Sequence, residues 1–326
     1  ALLTYLTPDH RFTTEISTGS EPNTLIIAGS LDPWMERRNS VATKMGRVSL
    51  PKLVTSALKK LDADNGEPIK TLRIEYASMY TVDLDFIKAQ FKARDVKVSS
   101  LKVTSAEARL YAKESIAKFE SPPLQTIMDW MLLWSDNTLG DRMATYAAMK
   151  AGFGYTESGI EKVFIKTLTD LEIDSTGLNA VDGSGLSKSN KVSARMIGQL
   201  LLKTYRNEKY RTIYGGLPIG GVSGTMQTRF IKSAPSAIGL VRAKTGTLNG
   251  TVSLAGYVQG GDREYIFVAI ADQIPKGTTA AKAARTALDK VLAKFAKPVV
   301  TPSPSPSNVV ENLDGTTVTS DPGSGG

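Results

Sequence analysis

Residues 239–250 read GLVRAKTGTLNG, and the decision about the fold rests on three of them, Lys244, Thr245 and Gly246. The segment reads as a strand. A strand with Lys, a hydroxyl and Gly in series presents an ammonium and an O–H to an anionic substrate end, while Gly leaves room for close backbone approach. Alone, the tripeptide is equally well explained as an exposed strand end, so its surroundings have to decide. TVSLAGYVQGGDREYIFVAIAD (251–272) predicts two strands around the Gly-Gly-Asp turn at 260–262. TTAAKAARTALDKVLAKFA (278–296) then carries Ala284, Leu288, Val291, Leu292 and Phe295 at helical spacing. A closing helix on one face of a hairpin is the expected arrangement.

About a hundred residues upstream, MLLWSDNTLGDRMA (131–144) sets Ser135, Asp136 and Asn137 directly after an apolar run. Leu124, Ile127, Met128, Met131 and Leu132 form one helical face, and Leu139, Met143, Tyr146 and Ala147 form another after the polar break. Pro122 and Pro123 stand where a helix starts. The triplet therefore lies at a junction of two buried helices, and helix capping accounts for a hydroxyl, a carboxylate or an amide there. It does not account for all three.

Composition bounds the chemistry. The 326 residues are 41 % apolar and 22 % charged, enough for one large domain or two ordinary ones. No apolar stretch approaches the ~20 residues needed to span a bilayer, and no signal peptide opens the sequence. Without Cys, thiolate nucleophiles, thiolate-bound zinc and disulfides are excluded. The only His, His10, stands beside a Pro-Asp turn, so acid–base chemistry is expected to run on Lys, Asp or Glu. The formal charge is +8, and residues 299–326 hold three acids and no Lys or Arg. The basic remainder favours polyanions such as acidic cell-envelope polymers. Its cations do not cluster with aromatics as a nucleic-acid groove requires, so no nucleic-acid partner is expected.

Taken together, LTPDHRFTTEI (6–16), ESPPLQTIMDWMLLWSDN (120–137), VDGSGLSKSNKVSA (181–194), LPIGGVSGTMQTRF (217–230) and VRAKTGTLNGTVSLAGYV (241–258) resemble the D-alanyl-D-alanine carboxypeptidase/endopeptidase family of class C penicillin-binding proteins, serine peptidases of the S13 type. The resemblance runs from residue 1 to about 298. It implies an α/β (α+β) transpeptidase-like fold with an antiparallel sheet between helical layers. Residues 1–12 and 113–298 would form the penicillin-recognition domain, 13–112 an inserted smaller α/β domain, and 299–326 a disordered Pro/Ser/Gly-rich tail. Short strands such as TLIIAG and TLRIEY, mixed with the Lys-rich LPKLVTSALKKL, support a separate α/β unit at about 24–110.

The resemblance also assigns roles. Ser135 would relay a proton toward the leaving amine, and Asn137 would hold the substrate amide and a catalytic Lys. Lys244 and Thr245 would bind the substrate's terminal carboxylate, beside Gly246, and the Thr247 N–H would be an oxyanion donor. Asp136 is read as a helix cap, and the Gly-rich 182–187 and 220–225 as turns. The family's Ser-x-x-Lys nucleophile would precede ALLTYL, which reads as the middle of a helix, so the natural protein is expected to begin upstream of Ala1. Ser49, Ser56, Ser99 and Ser115 each have Lys three residues on, but none opens an apolar helix near the start of the domain. Expected, then, is a serine-type D-Ala-D-Ala carboxypeptidase, with endopeptidase action as the second activity the resemblance implies, working through an acyl-enzyme without metal or cofactor. Its partners would be peptidoglycan stem peptides and β-lactams, and its location extracytoplasmic. A β-lactamase is disfavoured because Glu157, Glu161 and Glu172 lack an Asn four residues on. It stays the enzyme alternative, and a non-catalytic cell-wall-binding scaffold on the same fold is the other.

Overall fold

The computed structural model describes residues 1–299, so the stretch read as a tail lies, apart from Val299, outside the described residues. A short helix α1 (Leu2–Tyr5) leads into strands β1 (Thr13–Thr18) and β2 (Thr24–Ala28). Helices α2 (Asn39–Met45) and α3 (Leu50–Asn65), strand β3 (Thr71–Ala77), helix α4 (Thr81–Lys92), strand β4 (Lys97–Lys102), helix α5 (Ser105–Tyr111) and strand β5 (Ser115–Glu120) follow. The five strands form one mixed sheet in the order β4-β3-β2-β1-β5, parallel across β2, β3 and β4 and antiparallel at β1. Leu25, Ile27, Leu72 and Ile74 pack on Leu53, Val54 and Ala57 of α3 and Leu84, Ile87 and Phe91 of α4. Ile26 and Ala77 meet Ala108 of α5 on the other face.

This α/β unit runs past the boundary drawn at residue 112. β5 pairs with β1 from Thr13↔Glu120 to Ser17↔Ser115, so the sheet is complete only at Glu120. SIAKFE sets its apolar residues Ile116, Ala117 and Phe119 without the strict alternation of a strand, and its membership is fixed by pairing with a partner about a hundred residues away.

The rest of the chain is helical around a small antiparallel sheet. Helices α6 (Leu124–Trp134), α7 (Asn137–Lys150) and α8 (Glu157–Asp170) share a core with Leu2, Leu3 and Phe12. Helices α9 (Ala194–Arg206) and α10 (Glu208–Gly216) precede strands β6 (Val241–Leu248), β7 (Thr251–Gly260) and β8 (Arg263–Ala271), and helix α11 (Thr278–Ala293) is the last element of the described residues. Alternation sorts the sheet's faces. Val241, Ala243, Leu254 and Val258 face Leu292 of α11 and Ala296 just after it, whereas the Tyr257 hydroxyl donates to Leu201 O in α9. The antiparallel sheet thus lies between helical layers, as expected. The apolar stripe of α11 is rotated from the expected one: Val291 and Phe295 are exposed, while Leu288 and Leu292 pack inward beside a buried Asp289.

Candidate active site

The apolar run of α6 stops at Ser135, whose backbone enters the left-handed region (φ 56°, ψ 49°). That position usually takes Gly, because a Cβ there costs of order 1 kcal/mol. Asp136 then caps α7, its Oδ1 accepting from the Leu139 N–H at 3.1 Å. Its Oδ2 accepts from Arg47 Nη2 at 3.0 Å, and the buried Arg47 guanidinium lies 4.1 Å over the Trp34 ring. The cap is therefore also a joint to the α/β unit. Asn137 opens α7 as an exposed residue.

Opposite this junction runs β6, one of the two edge strands of its sheet. Lys244 Nζ donates to Ser135 Oγ at 2.6 Å and to Thr245 O at 3.0 Å, joining two motifs 109 residues apart. Burial pulls the Lys244 ammonium down to about 8, and no carboxylate of the described residues offsets that pull. The Thr245 hydroxyl donates to Thr225 Oγ1 at 2.9 Å, and Arg285 Nη2 donates to Thr247 Oγ1 at 3.0 Å. Gly246 faces Ser253 on β7 so closely that a Cβ would stand 2.2 Å from Ser253 Oγ.

The backbone of β6 has its own order. The outward edge is covered at its start, where Gly220 N–H donates to Val241 O and Ala243 N–H to Pro218 O. Since both polar groups of alternate residues point to one edge, the N–H of Thr245 and Thr247 turn to that same edge. Beyond the covering segment, this is the side on which Lys244 reaches Ser135.

A model of the D-Ala-D-Ala carboxypeptidase 3 (S13) family matches residues 63–295. The chain belongs to this family. Among its relatives, carboxypeptidase DacB of Mycolicibacterium smegmatis is 32 % identical over 179 residues, which cover 54 % of this chain and 38 % of the relative. A D-alanyl-D-alanine carboxypeptidase of Actinomadura sp. is 33 % identical over 160 residues, 47 % of this chain and 29 % of the relative. The chain thus matches well under half the length of these two relatives. Penicillin binding protein 4 (dacB) of Haemophilus influenzae, solved with a β-lactam, superposes with a TM-score of 0.63 at 17 % identity, over 89 % of this chain and 87 % of that one. A predatory endopeptidase from Bdellovibrio bacteriovorus superposes with a TM-score of 0.60 at 15 % identity, over 93 % of this chain and 86 % of that one. At such identities the two structures establish the fold alone.

The site contains residues that the sequence reading left out. Thr225 falls in the Gly-rich stretch 220–225 that reads as a turn, yet Gly224 (φ 54°) lies so close to α6 that a Cβ would stand 2.2 Å from Leu133 O, and this contact carries Thr225 to Thr245. The glycine was the available signal. Arg285 had none, being one cation among several on α11. The turn reading of 182–187 is correct: Asp182 accepts from the Gly185 and Ser187 N–H groups, and Asp141 of α7 accepts from those of Gly183 and Ser184. All four Ser-x-x-Lys serines lie in the α/β unit: Ser49 caps α3, Ser56 is within α3, Ser99 is in β4 and Ser115 in β5.

Proposed function

We propose that this chain carries the substrate-holding site of a serine-type D-Ala-D-Ala carboxypeptidase that works on peptidoglycan stem peptides outside the cytoplasm and is acylated by β-lactams. The observation that carries the reading is the 2.6 Å contact between Lys244 Nζ and Ser135 Oγ, with the ammonium held at about 8 by burial alone. A half-buried ammonium without a carboxylate partner suits a site whose counter-charge arrives with the ligand, and the terminal carboxylate of a D-Ala-D-Ala peptide is such a charge. In this reading Lys244, Thr245 and Thr247 receive that carboxylate beside Gly246. The Thr247 N–H on the open edge of β6 stabilises the oxyanion of the tetrahedral intermediate. Ser135, both donor and acceptor, passes a proton to the departing amine, and Asn137 holds the peptide amide. The acyl-accepting hydroxyl is a serine other than Ser49, Ser56, Ser99 and Ser115.

Family membership and the Asp136 cap support this assignment. Among the described residues no helix is long and apolar enough to cross a membrane. One observation favours a second reading, in which these residues bind D-Ala-D-Ala ends without cleaving them: no Ser-x-x-Lys serine stands at the site. Release of D-Ala from an acyl-D-Ala-D-Ala peptide, followed in the longest form that the gene encodes, separates the two. Cleavage that falls by about 10²-fold in folded Ser135→Ala and Lys244→Ala proteins is expected. Binding without any cleavage supports the second reading, and full activity in both variants removes the pair from the mechanism.

A further inference from the structure

On the α11 side of Thr245 and Thr247 the site opens into a cavity of about 690 Å³. Its walls are the segment 225–233, the two threonines of β6 and one face of α11. The volume lies well within the ~300–1,000 Å³ of ordinary ligand sites and is far more than one alanine residue fills. Its charge is one-sided. The carboxylate on its wall, Asp289, is fully engaged: Oδ1 accepts from Nε and Nη2 of Arg229, and Oδ2 accepts from Ser233 Oγ at 2.9 Å. Lys232, Lys282 and Arg285 remain as positive charge around the cavity, with the hydroxyls of Thr228 and Thr286 between them. The 3.0 Å bond from Arg285 to Thr247 Oγ1 joins this cationic wall to the end of the site that receives the substrate's terminal carboxylate.

We infer that this cavity is a leaving-group site for an amine component bearing a carboxylate beyond the one on the residue's own α-carbon, with Lys232 and Lys282 binding that second carboxylate and Arg285 bridging it to Thr247. The inference rests on the proposed placement of the scissile D-Ala end at Lys244 and Thr245. A free D-alanine leaves the cavity's far cations unmatched. An acidic residue, or the carboxylate-rich peptide of a cross-linked strand, reaches them, and each charge-assisted contact favours such a leaving group over alanine. Both lysines are exposed, so part of this preference is screened by salt.

The test compares two peptides with the same acyl-D-Ala portion, one ending in D-Ala and one in D-Glu, binding to the 326-residue chain by calorimetry. Expected is about tenfold tighter binding of the D-Glu peptide at low salt, lost in the Lys232→Ala/Lys282→Ala double variant while affinity for the D-Ala peptide is unchanged. Both substitutions are at exposed positions, and thermal melts check that the fold is intact. Equal affinity for the two peptides, or an equal loss for both in the double variant, overturns the inference alone. Failure of both peptides to bind, or binding of both that is indifferent to Lys244→Ala, overturns the placement at Lys244 and the inference with it.

Discussion

At the scale of single residues, Lys244 is the most informative position, because one cause fixes its state. Burial lowers its ammonium to about 8, well below the ordinary 10.5 of lysine. In the ligand-free site the positive charge is therefore present below pH 8 and lost above it, while a peptide carboxylate is charged throughout that range. Affinity for a D-Ala-D-Ala peptide should hold constant from pH 6 to 7.5 and then fall, by at most tenfold per pH unit. Lys244→Ala should bind about ten- to a hundred-fold more weakly at pH 7, the scale of one charge-assisted hydrogen bond, and show no such fall. A profile that is flat in the unsubstituted chain would take Lys244 out of carboxylate recognition. Lys244, Ser135 and Asp136 were legible in the sequence because their types and order form a recognisable pattern. Thr225 and Arg285 were not, since each reaches its threonine across 20 and 38 residues through packing of a 3-10 turn and a helix, which no local periodicity records.

At the scale of elements, the junction between α6 and α7 divides its labour. Ser135 supplies the hydroxyl at a left-handed C-cap, while Asp136 holds the start of α7 and the Arg47 guanidinium. Asp136→Ala should cost about 0.5–2 kcal/mol for the cap, with a further contribution from the ion pair to a buried arginine. Asp136→Asn keeps an oxygen for the Leu139 N–H and loses only the charge, so its urea midpoint should fall between those of Asp136→Ala and the unsubstituted chain. Equal losses in the two variants would mean that the ion pair, and not the cap, is what the carboxylate contributes. The helices and the β6 to β8 meander were readable because their burial patterns are periodic. The inward face of α11 was misread because Val291 and Phe295 also fall at helical spacing, and the choice between the two stripes is made by Asp289 meeting Arg229 and Ser233 from a distant loop. Strand β5 was missed for the same kind of reason, as its sheet membership is decided by β1.

At the scale of the whole molecule, the α/β unit is held to the helices that carry the site by a buried polar joint. Arg142 of α7 donates to Asp83 Oδ1 at 2.5 Å and to the carbonyls of Pro33 and Met35 at 3.0 Å each, and its own carbonyl accepts from the Tyr80 hydroxyl at 3.0 Å. Asp32, 2 % exposed, stands beside this joint, with Oδ1 accepting from the Trp34 N–H at 2.8 Å and Oδ2 without a partner. Burial pushes its carboxyl up from 3.8 to about 7 against the opposing pull of the Trp34 N–H, Arg142 and Arg47, and burial raises Asp83 in the same direction. A carboxyl whose pKa is higher in the folded than in the unfolded chain binds more protons when folded. Stability must then fall as pH rises from about 4 to about 7, the reverse of the usual salt-bridged aspartate. At about 1.4 kcal/mol per pH unit, the displacement of Asp32 corresponds to an upper bound of about 4 kcal/mol across that window. Asp32→Asn removes the titration and retains an oxygen for the Trp34 N–H, while its buried amide adds a cost that does not vary with pH. The expected result lies in the slope rather than the level: between pH 4.5 and 7, urea midpoints of the unsubstituted chain fall relative to those of Asp32→Asn. The window ends below the Lys244 transition, so that group does not contribute. Parallel curves for the two proteins would show that Asp32 ionises freely in place, and that the joint between the unit and the site tolerates its negative charge.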